Sequence, residues 1–405
     1  SIFYSLFPVM QQEFTIAELK PGMYVDEVLS QSGNLKIKSR GLVRSQQAIS
    51  ALAKQGVETV LVDLDKSQLE QEAATEAPVE QPVAPVEHKK TPIGQELKKA
   101  TKLYNKAKSL QNKAFNSFKA GKPIDTGAMK EVADGFIDSV FRNADALACM
   151  TRMREKDEYL MEHSVNVAII MTVFAKHLKL ERQIIHDLAT GALLHDVGKI
   201  GIPDPILNKP GRLTDDEMDK MRSHVTLGYE VLKKSGDLNP ISTEVVGDHH
   251  ERLDGTGYPN KKTADQLSQY GRMIAIVDTF DAITASRCYQ NARSPVTAFK
   301  ILRNEAGTAF DAQLVAEFIK CMGIHPVGTL VKMKSNKLGI VTESNSVNPI
   351  CPVVHIFYSI TNKSYIEPKT LDLADKNAKD EIERSVKPED FKIDIMKYFR
   401  EMLLG

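Results

Sequence analysis

The stretch Leu193–Glu217, LLHDVGKIGIPDPILNKPGRLTDDE, decides how the chain reads. An apolar run with Ile185, Leu188, Ala189 and Ala192 at helical spacing leads into the pair His195-Asp196. Imidazole nitrogen and carboxylate oxygen are the usual donors to Zn, Fe, Mn or Ni, while Mg and Ca prefer oxygen alone. Outward from that pair the same chemistry recurs. His163 closes MEH, His224 lies in MRSHV, His249-His250 forms the doublet of DHHE, and Asp278 lies in IAIVDTFDA. Five His and two Asp exceed the needs of one ion, so they predict a two-ion site with a bridging carboxylate. Asp196 is the natural bridge, because its neighbour His195 binds one ion while its own two oxygens reach both. His88, His177, His186, His325 and His355 read as ordinary satisfied side chains. These residues by themselves indicate a metal-dependent hydrolase. Two loops complete the expected pocket: one carries Lys209 and Arg212 beside Pro210-Gly211, and the other, DGTGYP (Asp254–Pro259), follows HHE directly. Backbone can approach a ligand closely at glycine, and Tyr258 can stack on a base or donate a hydrogen bond.

The flanks of this block are helical to about residue 322. Val165, Ala168, Ile169, Thr172 and Val173 mark one amphipathic helix, and further helices are predicted near 215–234, 244–250, 271–285, 295–303 and 311–322. Residues 93–150 form a helical lead-in, with Leu97, Leu103, Ala107, Leu110, Ala114 and Phe118 at helical spacing. Lys98, Lys99, Lys102, Lys106, Lys108 and Lys113 lie between them and read as a solvated face. Residues 71–92, rich in Pro, Ala, Glu and Gln, cannot offset the entropy of ordering and read as a disordered linker. Before it, residues 1–70 read as a small α/β or β-rich domain: strand, Pro21-Gly22 turn, strand, a helix over Ser45–Lys54 and a buried strand over Val57–Val62. Met10 reads as the natural start. Residues 325–405 read as a β-rich appendage that ends in a helix from about 379. The fold class is therefore mainly α, with small β-containing modules at both ends.

Composition narrows the function. Lys+Arg and Asp+Glu are 53 each, a net charge of +0, which removes the whole-chain case for a nucleic-acid polymer or an anionic membrane. The four Cys, scattered without C-x-x-C spacing, indicate neither a disulfide framework nor a cysteine zinc site. No apolar run approaches the roughly 20 residues of a membrane span. The cytoplasm is the expected location.

The three segments LLHDVGKIGIPDPILNKPGRLTDDE, HHERLDGTGYP and GRMIAIVDTFDAIT together resemble the HD-GYP family of cyclic dinucleotide phosphodiesterases, over about residues 150–343. The resemblance implies an all-helical HD-superfamily catalytic domain, here 151–324. It also implies a ligand set of His163, His195, Asp196, His224, His249, His250 and Asp278, with Asp196 and Lys199 catalytic. Lys199 matches the lysine at the scissile phosphate, and Arg287 an arginine that grips the ligand. Lys209, Arg212, Asp254, Gly257, Tyr258 and Gln290 complete the implied substrate contacts. Gln290 stands where many relatives carry a basic residue. Tyr159 stands where three-metal members carry Glu, so two divalent ions are expected, Fe or Mn first, with Mg, Ni or Zn also compatible. ELKPGMYV is similar to the accessory domain that precedes such domains, and the layout looks like Vibrio-type members acting on 3′,3′-cyclic GMP-AMP. The implied reaction opens cyclic GMP-AMP or cyclic di-GMP to a linear 5′-phosphorylated dinucleotide. The alternatives are a non-catalytic module that binds the dinucleotide or docks onto a cyclase, and another HD-superfamily nucleotide phosphohydrolase. A second copy or a cyclase are the protein partners such a layout accommodates.

Overall fold

The computed structural model describes residues 11–32, 41–43, 45–63, 91–152, 159–235, 238–285, 292–345 and 347–393. The chain divides into two compact units, Ser1–Val86 and Glu87–Gly405. In the first, β1 (Gln11–Thr15), β2 (Tyr24–Gln31), β3 (Gly41–Leu42), α1 (Gln46–Lys54) and β4 (Val57–Asp63) build an antiparallel sheet of order β1-β4-β2-β3. Val57, Val60 and Val62 of the central strand, with Met23, Val25 and Ile49, form its core. The predicted Pro21-Gly22 turn is present, with Gly22 at φ 96°, a backbone region glycine adopts without steric cost. Ser45 caps α1 by accepting from the Ala48 amide.

The second unit begins with α2 (Ile93–Lys119) and α3 (Thr126–Met150), which pack side by side. Along α2 the buried positions Leu97, Ala100, Tyr104, Ala107, Gln111 and Ala114 alternate by three and four, the spacing that keeps one face inward. Gln111 is the polar member of that stripe, and its amide donates to the Leu193 carbonyl. Lys108 departs from the solvated face expected of it, pairing at 3.1 Å with Glu162, which is buried. Next come α4 (Tyr159–His177), α5 (Arg182–Leu194), a 3-10 turn (Val197–Gly201), α6 (Asp204–Leu207), α7 (Asp215–Arg222), α8 (His224–Ser235) and α9 (Pro240–Asp248). The helices end with α10 (Gln269–Thr284), α11 (Pro295–Asn304) and α12 (Ala312–Met322). A five-stranded antiparallel sheet closes the unit: β5 (Leu330–Met333), β6 (Lys337–Glu343), β7 (Val353–Ser359), β8 (Ser364–Asp372) and β9 (Ile382–Ser385), ordered β8-β7-β6-β5-β9.

Two features differ from the sequence reading. The helix expected from about 379 is not formed over the described residues: Ile382–Ser385 pairs with β5, and Pro388–Phe391 makes a 3-10 turn. Residues 394–405 lie outside the described residues, as do Met10, His88, most of the predicted linker, Arg287 and Gln290. The lead-in, the helical block and the appendage also share one core. A single apolar cluster runs from Leu97 through Phe136, Phe174 and Phe318 to Val331, Phe357 and Ile393.

Glycines let the backbones meet where the helices converge. A Cβ on Gly198 would lie 1.9 Å from the His224 carbonyl oxygen and 2.4 Å from the Gly228 amide nitrogen. The 3-10 turn after Asp196 therefore rests on the first turns of α8, which brings His224 beside Asp196. Gly198→Ala is expected to lower stability by about 1–3 kcal/mol or more, read as a lower urea midpoint with the unfolding slope retained. An unchanged midpoint would contradict this packing.

Candidate metal centre

Each histidine of the centre is aimed by what its far nitrogen binds. His195 caps the C-terminus of α5, His249 caps that of α9, and His224 opens α8. In all three, Nδ1 donates to the carbonyl three residues earlier: Ala192 at 2.7 Å, Val246 at 2.8 Å and Met221 at 2.7 Å. That bond fixes the tautomer and leaves Nε2 as a bare acceptor facing inward. On α4, His163 donates from Nδ1 to Asp281 Oδ2 at 2.8 Å, a carboxylate serving as its orienting partner.

The carboxylates span the space between these rings. Asp196 Oδ2 lies 3.4 Å from His163 Nε2 and 3.5 Å from His195 Nε2, while its Oδ1 lies 3.3 Å from His224 Nε2 and 3.8 Å from His249 Nε2. Asp278, on α10, divides itself similarly. Its Oδ1 is 3.0 Å from His163 and 3.8 Å from His195, and its Oδ2 is 3.6 Å from His250 Nδ1. Two groups of potential ligands result, His163-His195-Asp196 and Asp196-His224-His249-His250, joined by Asp196. Lys199 reaches Asp196 Oδ2 at 2.5 Å.

The donor set fits a cation. His224 Nε2 and His249 Nε2 face each other at 3.3 Å, two lone pairs with nothing positive between them. His195 Nε2 and Asp196 Oδ1 are fully buried yet make no hydrogen bond. The carbonyl ends of α5 and α9 also converge here, the pole of a helix that favours positive charge. The electrostatics agree. Burial holds His195 below the usual histidine range, and burial together with neighbouring rings holds His249 and His250 well below it. Burial opposes a charge on Asp196, but the adjacent Lys199 ammonium outweighs it and holds this carboxyl well below its usual range. Asp278 is kept ionised against burial chiefly by its hydrogen bond from His163. His163 alone is raised, because Asp278 and Asp281 overcome the cost of burying its charge.

The loop after the doublet is pinned from below. Glu251, buried, accepts from the Asn260 amide at 2.6 Å and the Lys262 amide at 3.0 Å, and the Tyr258 amide donates to the His250 carbonyl at 3.2 Å. Gly257 is required by this fold-back, since a Cβ there would meet Glu251 Cα at 2.5 Å. The Tyr258 ring then lies 4.6 Å from the His250 ring, and Tyr258-Pro259 is a cis peptide.

All seven expected ligands, Lys199 and Tyr258 are thus brought together. The remaining expected contacts are disposed differently. Lys209 pairs with Glu217 at 2.5 Å, within the capping box that Thr214 and Glu217 form at the start of α7. Asp254 accepts from the Thr256 amide and hydroxyl, shaping the turn, and Arg212 is exposed. Of the histidines set aside as ordinary, His88 lies outside the described residues, and the others bond away from the centre: His177 with Glu317, His186 with Asp187, His325 with Ser385 and His355, through Nδ1, with Thr370. Sequence reading missed Asp281 and Glu251. Asp281 was signalled by its spacing of three from Asp278, which puts both carboxylates on one helix face.

A buried cluster of imidazoles and aspartates on converging helices defines an HD-type hydrolase centre. An HD domain model matches residues 147–314, and a domain of unknown function matches 11–129. The chain is 33% identical to a cyclic di-GMP phosphodiesterase of Pseudomonas aeruginosa over 92% of this chain and 91% of that protein. It is 31% identical to a cyclic di-GMP phosphodiesterase of Thermotoga maritima over 45% of this chain and 50% of that one. It is 35% identical to a 3′3′-cGAMP-specific phosphodiesterase of Vibrio cholerae over 42% of this chain and 37% of that one. The chain belongs to the HD-GYP family of phosphodiesterases. No described helix is long and apolar enough to cross a membrane.

The charge states predict how the metal-free protein responds to acid. His195, His249 and His250 sit below their usual 6.5 in the fold, so the unfolded chain takes up their protons first as pH falls, and stability drops below that value. His163, raised, contributes oppositely: its stabilisation is complete below 6.5 and is lost as pH rises through its folded value. Asp196 and Asp278, lowered from 3.8, contribute fully above that value and do not change between pH 5 and 7.5. The three lowered histidines, joined by His325 and His355, which burial also holds below 6.5, outweigh His163 and the raised Asp248 and give a lower urea midpoint at pH 5 than at pH 7.5. A midpoint that is equal or higher at pH 5 would contradict the assignment.

Proposed function

We propose that this centre holds two divalent cations and hydrolyses a guanine-containing cyclic dinucleotide to the linear 5′-phosphorylated product. His163, His195 and Asp196 would hold one ion, and Asp196, His224, His249 and His250 the other, with Asp278 facing both groups. The mixed nitrogen and oxygen donors suit Fe or Mn better than an all-oxygen ion such as Mg. Bound there, the cations supply positive charge to the phosphoryl oxygens and lower the pKa of a water.

The chain's own residues do the rest. Lys199 Nζ, held at Asp196, offers a fixed positive charge to oxygens that become more negative as phosphorus is attacked. The ring of Tyr258, on the loop pinned through Glu251, would stand beside the substrate at the His250 edge of the cluster. Asp281 holds His163 in orientation. The observation that carries the reading is the buried, mutually repelling pair of Nε2 lone pairs beside two spanning carboxylates, an arrangement suited to a cation and to little else. Cyclic di-GMP is the first substrate to test, because the relative matched along nine-tenths of both chains carries that name. The cyclic GMP-AMP enzyme matches over 42% of this chain, and its substrate comes second.

The test is chromatography of the products after incubating Mn- or Fe-loaded protein with cyclic di-GMP, 3′,3′-cyclic GMP-AMP and cyclic di-AMP. We expect linear 5′-phosphorylated product from a guanine-containing ring. Asp196→Ala should lower turnover by at least about 1000-fold, the scale of losing an essential catalytic group, with helical circular dichroism nearly intact. Retained turnover in that variant, or no cleavage of any ring by the loaded wild type, would refute the proposal.

A further inference from the structure

Among the described residues, several of the cations near the centre are held by partners of their own. Lys199 is held by Asp196, and Lys209 by Glu217. Lys262 is bidentate with Asp248 at 2.7 and 2.8 Å. Arg252 turns inward to the His249 and Glu251 carbonyls and the Thr279 hydroxyl, its guanidinium over Phe310. Arg222 differs. It is the last residue of α7, two before His224, and its guanidinium lies 5.7 Å from the centre of the Tyr258 ring. That ring in turn sits 4.6 Å from His250. The carboxylate contact of Arg222 is Asp219 at 2.9 Å on its own helix, with the two side chains 49% and 73% exposed. An ion pair so open to water is weak and easily exchanged.

From this placement, and resting on the function proposed above, we infer that Arg222 grips the phosphodiester of the cyclic dinucleotide that is not being cut. The two phosphodiesters belong to one macrocycle. With one at the ligand cluster, the other lies across the ring, on the side where Tyr258 and Arg222 stand beside His250. A guanidinium presents a planar fork that matches two phosphate oxygens, and exchange of Asp219 for phosphate costs it little. The aromatic ring beneath keeps the arginine beside the cluster without occupying its N–H groups.

The experiment is equilibrium binding of cyclic di-GMP to the metal-free full-length chain at two salt concentrations, with KM and kcat measured in parallel on the Mn-loaded protein. Arg222→Gln should weaken binding about tenfold, as for loss of one charged hydrogen-bonded contact, raise KM by a similar factor with a smaller change in kcat, and make binding less sensitive to salt. Arg222→Lys should recover part of the loss. Asp219→Asn should tighten binding about two- to threefold, because it removes the competing carboxylate. KM for bis(p-nitrophenyl) phosphate, which has no second phosphate, should shift much less than KM for the cyclic dinucleotide. An equal loss on both substrates would locate the effect at neighbouring His224 and overturn the assignment. A weakening with unchanged salt dependence would put the guanidinium on a base edge and overturn it equally. If the wild type binds the dinucleotide but never cuts it, the proposed function fails while the binding ratios still decide Arg222. If it binds no cyclic dinucleotide, both fall.

Discussion

Three buried imidazoles present lone pairs to the same small space, and everything else in the larger unit answers to that. The arrangement costs free energy in the absence of a cation: a buried acceptor without a partner costs about 1–3 kcal/mol, and His224 and His249 set two such acceptors against each other. It persists because each ring is tied at Nδ1 to a carbonyl of its own chain three residues back. A histidine in that position cannot turn its inner nitrogen away without breaking a hydrogen bond that is also buried. Cation affinity is therefore built into the backbone at the helix ends, and binding free energy there becomes folding free energy.

Bringing these ends together is the task of the surrounding helices. α4, α8 and α10 and the C-terminal caps of α5 and α9 each contribute at least one side chain, and close backbone approaches such as Gly198 on α8 and Gly191 on α9 help bring them together. The first helix of the unit takes part as well. Gln111 on α2 bonds the carbonyl two residues before His195, and Lys108 pairs with Glu162 beside His163. The helices before residue 151 and the sheet after 324 belong to the same core as the centre they flank.

Much of this was legible in the sequence, for physical reasons that also explain what was not. Helical spacing of apolar residues is a local signal, and it located nearly every helix. The His-Asp pair, the His doublet and Asp278 stood out because such side chains are costly to bury without a purpose. Orientation was not legible. Nothing local tells that Asp281 rather than solvent receives the His163 Nδ1 proton, or that Glu251 turns beneath the loop to bind two amides. Lys209 looked available for substrate, but its partner Glu217 is already engaged at the helix start, a pairing fixed by the turn between them. The stretch 382–385 pairs with β5, more than forty residues earlier, and such long-range pairing overrides local preference.

Metal stoichiometry probes the account at its root. Protein stripped of metal, reloaded with Mn and freed of excess should hold two ions per chain by elemental analysis, and Asp196→Ala, which removes the carboxylate shared by both ligand groups, should hold one or none. Two ions retained by the variant, or none taken up by the wild type, would show that the converging rings do not serve a cation pair.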